Sequence, residues 1–347
     1  MINTLSNYFI YIPWINPITT NVAVSYTLDL FIWNGLKAAV PLTPIYQMTK
    51  PNPTLSNGND RIDIARIIND FIDFDYAPIT GNVLQDGNNQ IWFRYQVRYS
   101  DNPLVDQLIT TNFAVKGYGF WNQGENPQLP ANRILIESDE YKVSRNSKFV
   151  VPILLDESLS LGNVTVKSFP SLLINATLST ATTTNSNKLI TNINVDVSLA
   201  NPVDEYIEVA FNGVTKTLLI TDECRYSPID IAFQNKNGSV EIITFFKVKK
   251  ESVSFTNEEF QSDNINRQFV KYNINSKTKF SVNSGFVDES RNSSFYQLIA
   301  SERVWQLQGA TAVPINVATK SFQYKTRNND RLINYEIEFE YAFNDIN

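Results

Sequence analysis

The sequence predicts a mainly β chain of several domains, built of antiparallel β-sandwiches with one or two short helices. Three observations carry this. Apolar and polar residues alternate with period two from the first third of the chain to its last residues, the mark of half-buried strands. Asn-Gly pairs stand between β-type runs in two places, the strongest short-range hairpin signal. Hydrophobic residues make up 43% of the 347 and charged residues 18%, against about 25% charged in an ordinary domain. Such a chain can bury sizeable cores, which excludes global disorder.

In chain order, Val22 to Trp33 reads as a strand with Val24, Tyr26, Leu28 and Leu30 on one face. Pro51 to Asp60, with Pro53, Asn57, Gly58 and Asn59, is a loop. Ile64, Ile67, Ile68, Phe71 and Ile72 recur at helical spacing and predict a short helix near 64–73. Ile91 to Tyr99 alternates cleanly: Ile91, Phe93, Tyr95, Val97 and Tyr99 point one way, Arg94, Gln96 and Arg98 the other. Thr177 to Lys188 is Thr/Ser/Asn-rich and reads as an exposed loop or strand-edge excursion.

Two hairpins follow. Tyr206 to Phe211 turns at Asn212-Gly213 into Val214 to Thr221, and Ile229 to Gln234 turns around Asn235-Lys236-Asn237-Gly238 into Val240 to Val248. Asn-Gly meets the positive φ of a type I′ turn at least steric cost. The polar connection Phe255 to Arg267 is the best domain boundary. The expected organisation is therefore 1–165, an N-terminal β domain with the helix near 64–73; 166–254, a central β domain with the Asn-Gly hairpins; and 255–347, a C-terminal β domain with one helix near 289–301.

In that last domain Phe269 to Ile274 and Lys279 to Val282 are expected strands. Asp288 to Ser301 is a helix with Phe295, Leu298 and Ile299 on its apolar face and Asp288 as N-cap. Strands are expected again at Val304 to Leu307, Val313 to Thr319, Phe322 to Thr326 and Leu332 to Ala342. In the last, Glu336, Glu338 and Glu340 alternate with Ile337, Phe339 and Tyr341.

The residues that are missing narrow the chemistry. There is no histidine, which removes Ser-His-Asp and Cys-His nucleophile pairs, histidine bases and His-containing zinc sites. Cys224 is the one cysteine, so no disulfide forms within the chain; it reads as a small structural residue. The net charge is −6 with a pI near 4.9, against nucleic-acid binding, which needs a positive surface. No stretch of about 18 apolar residues predicts a membrane span. The start, Met1 to Tyr8, lacks a basic region and a small-residue cleavage site, so no signal peptide is expected. Asparagine, at 41 residues, together with abundant Thr, Ser, Tyr and Phe, is a composition of β-rich extracellular or virion proteins.

Carboxylates are the main catalytic option left. Glu336, Glu338 and Glu340 share a strand face, and Asp70, Asp73 and Asp75 cluster near one helix end. A glycosidase needs two carboxyls across a cleft; the alternation itself explains the glutamates as a solvent face. Asn57-Gly58-Asn59-Asp60 and Asp86-Gly87-Asn88-Asn89 lack calcium-loop spacing and read as turns. Lys247-Val248-Lys249-Lys250 reads as a solvated edge that discourages sheet aggregation. The run Gly117 to Asn126 sets Tyr118, Phe120 and Trp121 beside Asn122, Gln123 and Glu125. Such a loop plugs a core or an interface, or stacks on sugar faces.

One resemblance spans most of the chain in short blocks. Phe280-Ser281-Val282-Asn283-Ser284-Gly285-Phe286-Val287 precedes a helix; then come Val304-Trp305, Pro314-Ile315-Asn316-Val317 and Lys325-Thr326-Arg327-Asn328-Asn329-Asp330-Arg331-Leu332-Ile333-Asn334-Tyr335-Glu336. This pattern resembles the C-terminal region of structural proteins of tailed phages infecting Bacteroidetes, including crAss-like and flavobacterial phages. Cys224 to Lys247 is similar to a second block of those proteins, and Leu30-Phe31-Ile32-Trp33-Asn34-Gly35 with Ile68-Asn69-Asp70-Phe71-Ile72 to a third.

The resemblance implies a virion component of the tail, a hub or ring protein assembled in the host cytoplasm with copies of itself and other tail proteins. It brings no catalytic residues. No enzyme activity, cofactor, metal, nucleic-acid partner or membrane span is expected. The alternative is a carbohydrate-binding adhesin or receptor-binding module for a host surface glycan. In either case Tyr118, Phe120, Trp121 and Asn122 are the candidate interface or glycan contacts.

Overall fold

The computed structural model describes residues 2–3, 9–13, 25–51, 59–87, 89–99, 107–108, 111–119, 132–155, 163–179, 189–261, 268–326 and 333–343. The chain is mainly β, with several sheets and two short α-helices among these residues. Most strand pairs are antiparallel. Two are parallel: Ile2–Asn3 with Asn112–Val115, and Glu140–Ser144 with Val214–Thr221.

The first large sheet runs in the order Ile2–Asn3, Asn112–Val115, Gln90–Tyr99, Ser25–Trp33, Tyr46–Pro51. Alternation places Tyr26, Leu28 and Leu30 opposite Tyr99, Val97 and Tyr95. Their face packs on Ile64, Ile68 and Ile72. On the other face Asp29 is buried and held by Arg98, at 2.9 Å to Oδ1, and by Gln47. Val24 lies outside the described residues.

The helix expected near 64–73 covers only Ala65–Asn69. A turn at Asp70–Phe71 ends it, and beyond that Ile72, Phe74, Tyr76 and Pro78 are buried with the residues between them exposed. The segment carries both periodicities. Period two prevails because Phe74 stacks on Trp305 at 5.7 Å and Tyr76 lies 6.4 Å from the same ring, which draws the strand-like stretch into a second core.

That core lies between two further sheets. One orders Arg133–Ile134, Lys148–Leu154, Ile190–Asp196 and Val83–Asp86; the other orders Glu140–Ser144, Val214–Thr221, Tyr206–Phe211, Asn163–Phe169 and Asn175–Ser179. Phe149, Val151 and Ile193 from the first meet Val166, Val209 and Phe211 from the second. The Tyr206–Phe211 hairpin turns where expected, with φ 48° at Asn212 and 78° at Gly213. The boundary expected at 165/166 falls inside the strand Asn163–Phe169, whose two neighbours both belong to this sheet.

The last sheet has seven strands in the order Val240–Phe245, Ile229–Gln234, Val304–Gln308, Thr311–Val317, Glu336–Tyr341, Phe269–Asn283, Lys250–Gln261. The second Asn-Gly hairpin, expected within 166–254, is therefore part of the same sheet as the strands beyond 254. One face of this hairpin (Ala232, Val240, Ile242) joins the core shared by the two preceding sheets. The other face (Ile231, Phe233, Phe245) lies under the helix Asn292–Ala300 through Phe295 and Leu298. The helix follows a 3-10 turn, Glu289–Arg291, capped by Asp288, which accepts from Ser290 N at 3.0 Å.

Phe322 to Thr326 is not a strand. Its aromatics are used in packing across the surface of that helix: Phe322 stacks on Tyr335 at 5.1 Å and Tyr324 on Tyr296 at 6.0 Å. No helix among the described residues is long and apolar enough to cross a membrane.

Candidate interaction surface

Lys250–Gln261 and Phe269–Asn283, of 12 and 15 residues, form a long hairpin at the edge of the seven-stranded sheet. The expected linker at 255–267 is mostly part of this arm, and the 254/255 boundary cuts its first strand. The stretch looked like a linker because it is polar and interrupted. It forms a strand because Val253, Phe255 and Phe260 sit at odd and even positions of a ribbon with two wet faces, so neither face needs a continuous apolar row.

All residues of Lys250–Gln261 are exposed. Phe255 and Phe269 are each 65% exposed, and Val253, Phe260, Tyr272 and Ile274 nearly half. Phe260 and Tyr272 pack edge to face at 5.5 Å. The register slips by one residue between Thr256 and Glu258, where Asn273 takes φ 50°. Such a bulge sharpens the twist of the ribbon. Exposed aromatics in this number on one element make the arm a candidate interaction surface.

The glycine-punctuated loop is anchored at its start. Tyr118 N donates to Lys236 O at 2.8 Å, and the Gln234 side chain donates to Lys116 O. A Cβ on Gly117 would lie 2.5 Å from Lys236 O, so only glycine permits this approach. Tyr118 is half-buried, its hydroxyl enclosed. Burial first, then the charges of Tyr296 and Glu137, hold that hydroxyl protonated far above the usual tyrosine range. Phe120, Trp121 and Asn122 lie outside the described residues.

The turn that receives this loop is buried and fully wired. Asn235 Oδ1 accepts from Asn237 N, Ser239 N and Ser239 Oγ, while Asn235 Nδ2 and Asn237 Nδ2 both donate to Leu135 O. Lys236 N donates to Gln297 Oε1 at 2.9 Å, and Gln297 Nε2 reaches Glu137 at 3.1 Å. The sheets thus meet at the helix and the second Asn-Gly turn.

Two charges sit inside this junction. Glu241 is fully buried and accepts from Tyr141 Oη at 3.1 Å and Ser294 Oγ at 2.6 Å. Arg291, also buried, lies 4.0 Å from the carboxylate, with its guanidinium 4.0 Å from the Tyr141 ring centre. Burial, then the Glu241 charge, pushes the Tyr141 hydroxyl well above its ordinary value. At the rim Glu137 pairs with Lys236 and Ser293. Burial opposes its charge, but hydrogen bonds from Lys236 and Ser293 outweigh that and hold it below the usual glutamate value.

The lowered Glu137 sets a pH dependence. A carboxyl whose folded value is depressed stabilises the fold above its unfolded pKa, and that stability is lost as pH falls through the folded value. The thermal midpoint is expected to fall on acidification below pH about 4.3, and Glu137→Gln to flatten that acid limb. Parallel acid limbs for the two proteins would remove Glu137 from the account.

Glu336 and Glu338 are exposed and Glu340 half-exposed, as their alternation requires. They meet the lysines at the base of the arm: Lys250 lies 3.3 Å from Glu336, and Lys277 and Lys279 3.8 and 3.9 Å from Glu340. Glu336, Glu338, Lys250 and Ser281 line an open groove there. These glutamates serve as counter-charges on a solvent face. Asp70, Asp73 and Asp75 are exposed along the turn and extended stretch. Among the described residues no cluster of acidic or cysteine side chains could hold a metal. Cys224 is exposed and free. Lys247 pairs with Glu223 at 2.9 Å and Lys249 lies over the Phe280 ring at 4.6 Å, so this basic run is tied to the sheet. No protein-family model, curated protein or solved structure matches the chain.

Proposed function

We propose that the chain is a structural component of a phage virion, a tail hub or ring protein that assembles with copies of itself and other tail proteins. The reading takes its identity from the sequence blocks that resemble Bacteroidetes-phage structural proteins. It takes the two sheets around Phe149 and Val209 as a β-sandwich and the arm as a docking element. The observation that carries it is the arm, two strands of 12 and 15 residues with exposed aromatics at its middle and far end. A protein acting alone pays for such an edge in aggregation; one that acts inside an assembly covers it. The glycan-binding alternative is weakened at Tyr118, whose ring and backbone serve the junction between sheets.

The test is mass spectrometry of purified particles, with immunogold labelling by an antibody to this chain. The protein should be present in several copies per particle, with label at the tail. Its absence from particles, with the protein free in the lysate, would reject the reading.

A further inference from the structure

The outer edge of Lys250–Gln261 is the terminal edge of the seven-stranded sheet, and no described strand pairs with it. Alternate residues of such a strand turn their N–H and C=O outward, which makes the edge a template for another strand. The sheet's opposite edge, Val240–Phe245, is buried throughout. The question is which strand chemistry the open edge fits.

The strand is complementary to itself in one register. Laid antiparallel to its own copy about a two-fold axis at Ser254, Lys250 faces Glu258, twice by symmetry. Val253 then faces Phe255, and Ser252 faces Thr256. Opposite charges and apolar side chains placed directly across an antiparallel pair are its stabilising contacts. Moving the axis by one residue to Phe255 sets Glu251 against Glu259, and moving it to Thr256 sets Val253 against Glu259 and Ser254 against Glu258. Moving it the other way, to Val253, sets Glu251 against Phe255. Of these registers only the one at Ser254 sets Lys250 against a glutamate and Val253 against Phe255.

The side chains reach solvent, and Glu258 and Glu259 also contact Asn273 and Lys271 of the neighbouring strand. Lys250 is 66% exposed and its one contact, Glu336, is itself half-exposed. Glu258 and Glu259 lie on the exposed outer part of the arm. We propose that two copies of this chain join edge to edge through Lys250–Gln261, forming a continuous sheet across an isologous two-fold axis at Ser254. The contact yokes copies in pairs and does not itself close a ring. The inference deepens the assembly reading by naming the partner of the arm.

The purified full chain should be dimeric by sedimentation equilibrium. Lys250→Glu and Glu258→Lys should each weaken the dimer about tenfold, since each turns two attractive cross-strand pairs into repulsive ones. The doubly exchanged protein should return to near the original affinity, and circular dichroism should be unchanged in all three. In a Cys224→Ser background, Ser254→Cys should cross-link two chains under mild oxidation. Residues directly opposite lie about 4.5–5.5 Å apart at Cα, within disulfide reach. Glu259→Cys should not cross-link, because its mate lies ten residues along the strand, about 34 Å away.

A monomer at every soluble concentration, or single exchanges that the double exchange fails to rescue, would overturn the pairing. A monomeric protein still found in virions would leave the assembly reading intact and assign the edge to a different protein. A rescued dimer absent from virions would do the reverse.

Discussion

Arg291→Met is expected to lower the unfolding free energy by about 3–5 kcal/mol, the usual cost of stripping one partner from a buried ion pair. Glu241 is fully enclosed, and two hydroxyls, Tyr141 and Ser294, donate to one of its oxygens. Those bonds do not cancel its charge; Arg291 does, at 4.0 Å, while stacking on the Tyr141 ring. The site joins three pieces of chain, the strands Glu140–Ser144 and Val240–Phe245 and the start of the helix Asn292–Ala300. Loss of Arg291 should therefore loosen the contact between sheets as well as lower the midpoint of urea unfolding. The pair as a whole is expected to cost little to replace. Glu241→Leu combined with Arg291→Met should recover most of the loss, because well-packed apolar groups commonly match a buried ion pair. Urea unfolding of the two single variants and the double gives the coupling directly. A change under about 1 kcal/mol for Arg291→Met would mean that the hydroxyls alone shelter the carboxylate.

Much of the strand content was legible because alternation reports which face is wet. Tyr26 to Leu30 and Ile91 to Val97 lie on the face expected of them, and so do Ile337 and Phe339 between their glutamates. Local turn and cap chemistry was equally readable: Asn212-Gly213 has the positive φ at both positions that its residues allow, and Asp288 caps the turn that leads into its helix. The misreadings share a cause, which is tertiary context.

Phe71 to Tyr76 fits both a helical and a strand period, and only the ring of Trp305, more than 200 positions away, decides between them. The second Asn-Gly hairpin signals a local turn but not which sheet it enters; its seat against Leu135 and Gly117 comes from backbone approach, which leaves no periodic trace. The stretch read as a linker at 255–267 enters the strand Lys250–Gln261 because polar composition marks an exposed arm as readily as a linker. Of the four interface candidates, Tyr118 was visible as an aromatic in a glycine-rich loop, but its role at the junction depends on Lys236. The arm's exposed Phe255 and Phe260 fall in the stretch read as a linker, while Phe269 was legible as the start of a strand; the regular spacing of Val253 and Phe255 was the available signal.

Gly117→Ala is expected to cost about 1–3 kcal/mol or more, as overpacking at a rigid contact does. The added methyl carbon would sit 2.5 Å from Lys236 O and 2.9 Å from Gly238 N. Both are backbone atoms of a turn whose neighbours Asn235, Asn237 and Ser239 are locked by hydrogen bonds, so the strain cannot be relieved by a rotating side chain. The loop must back away instead, which lengthens the Tyr118–Lys236 and Gln234–Lys116 bonds that join the first sheet to the last. Gly238→Ala meets the same contact from the other side, 2.9 Å from Lys116 C, and adds a φ of +72° that side chains resist. It should cost more than Gly117→Ala, and the two losses should not add, since the first already opens the contact. Gly213→Ala is the control: its φ is +78° with nothing within 4 Å of the new carbon, so only the backbone term of about 1 kcal/mol applies. Thermal and urea unfolding of the four proteins test this. Equal costs at Gly117 and Gly213 would show that the junction yields to a methyl group, and the close backbone approach would then not be what holds the loop on the C-terminal sheet.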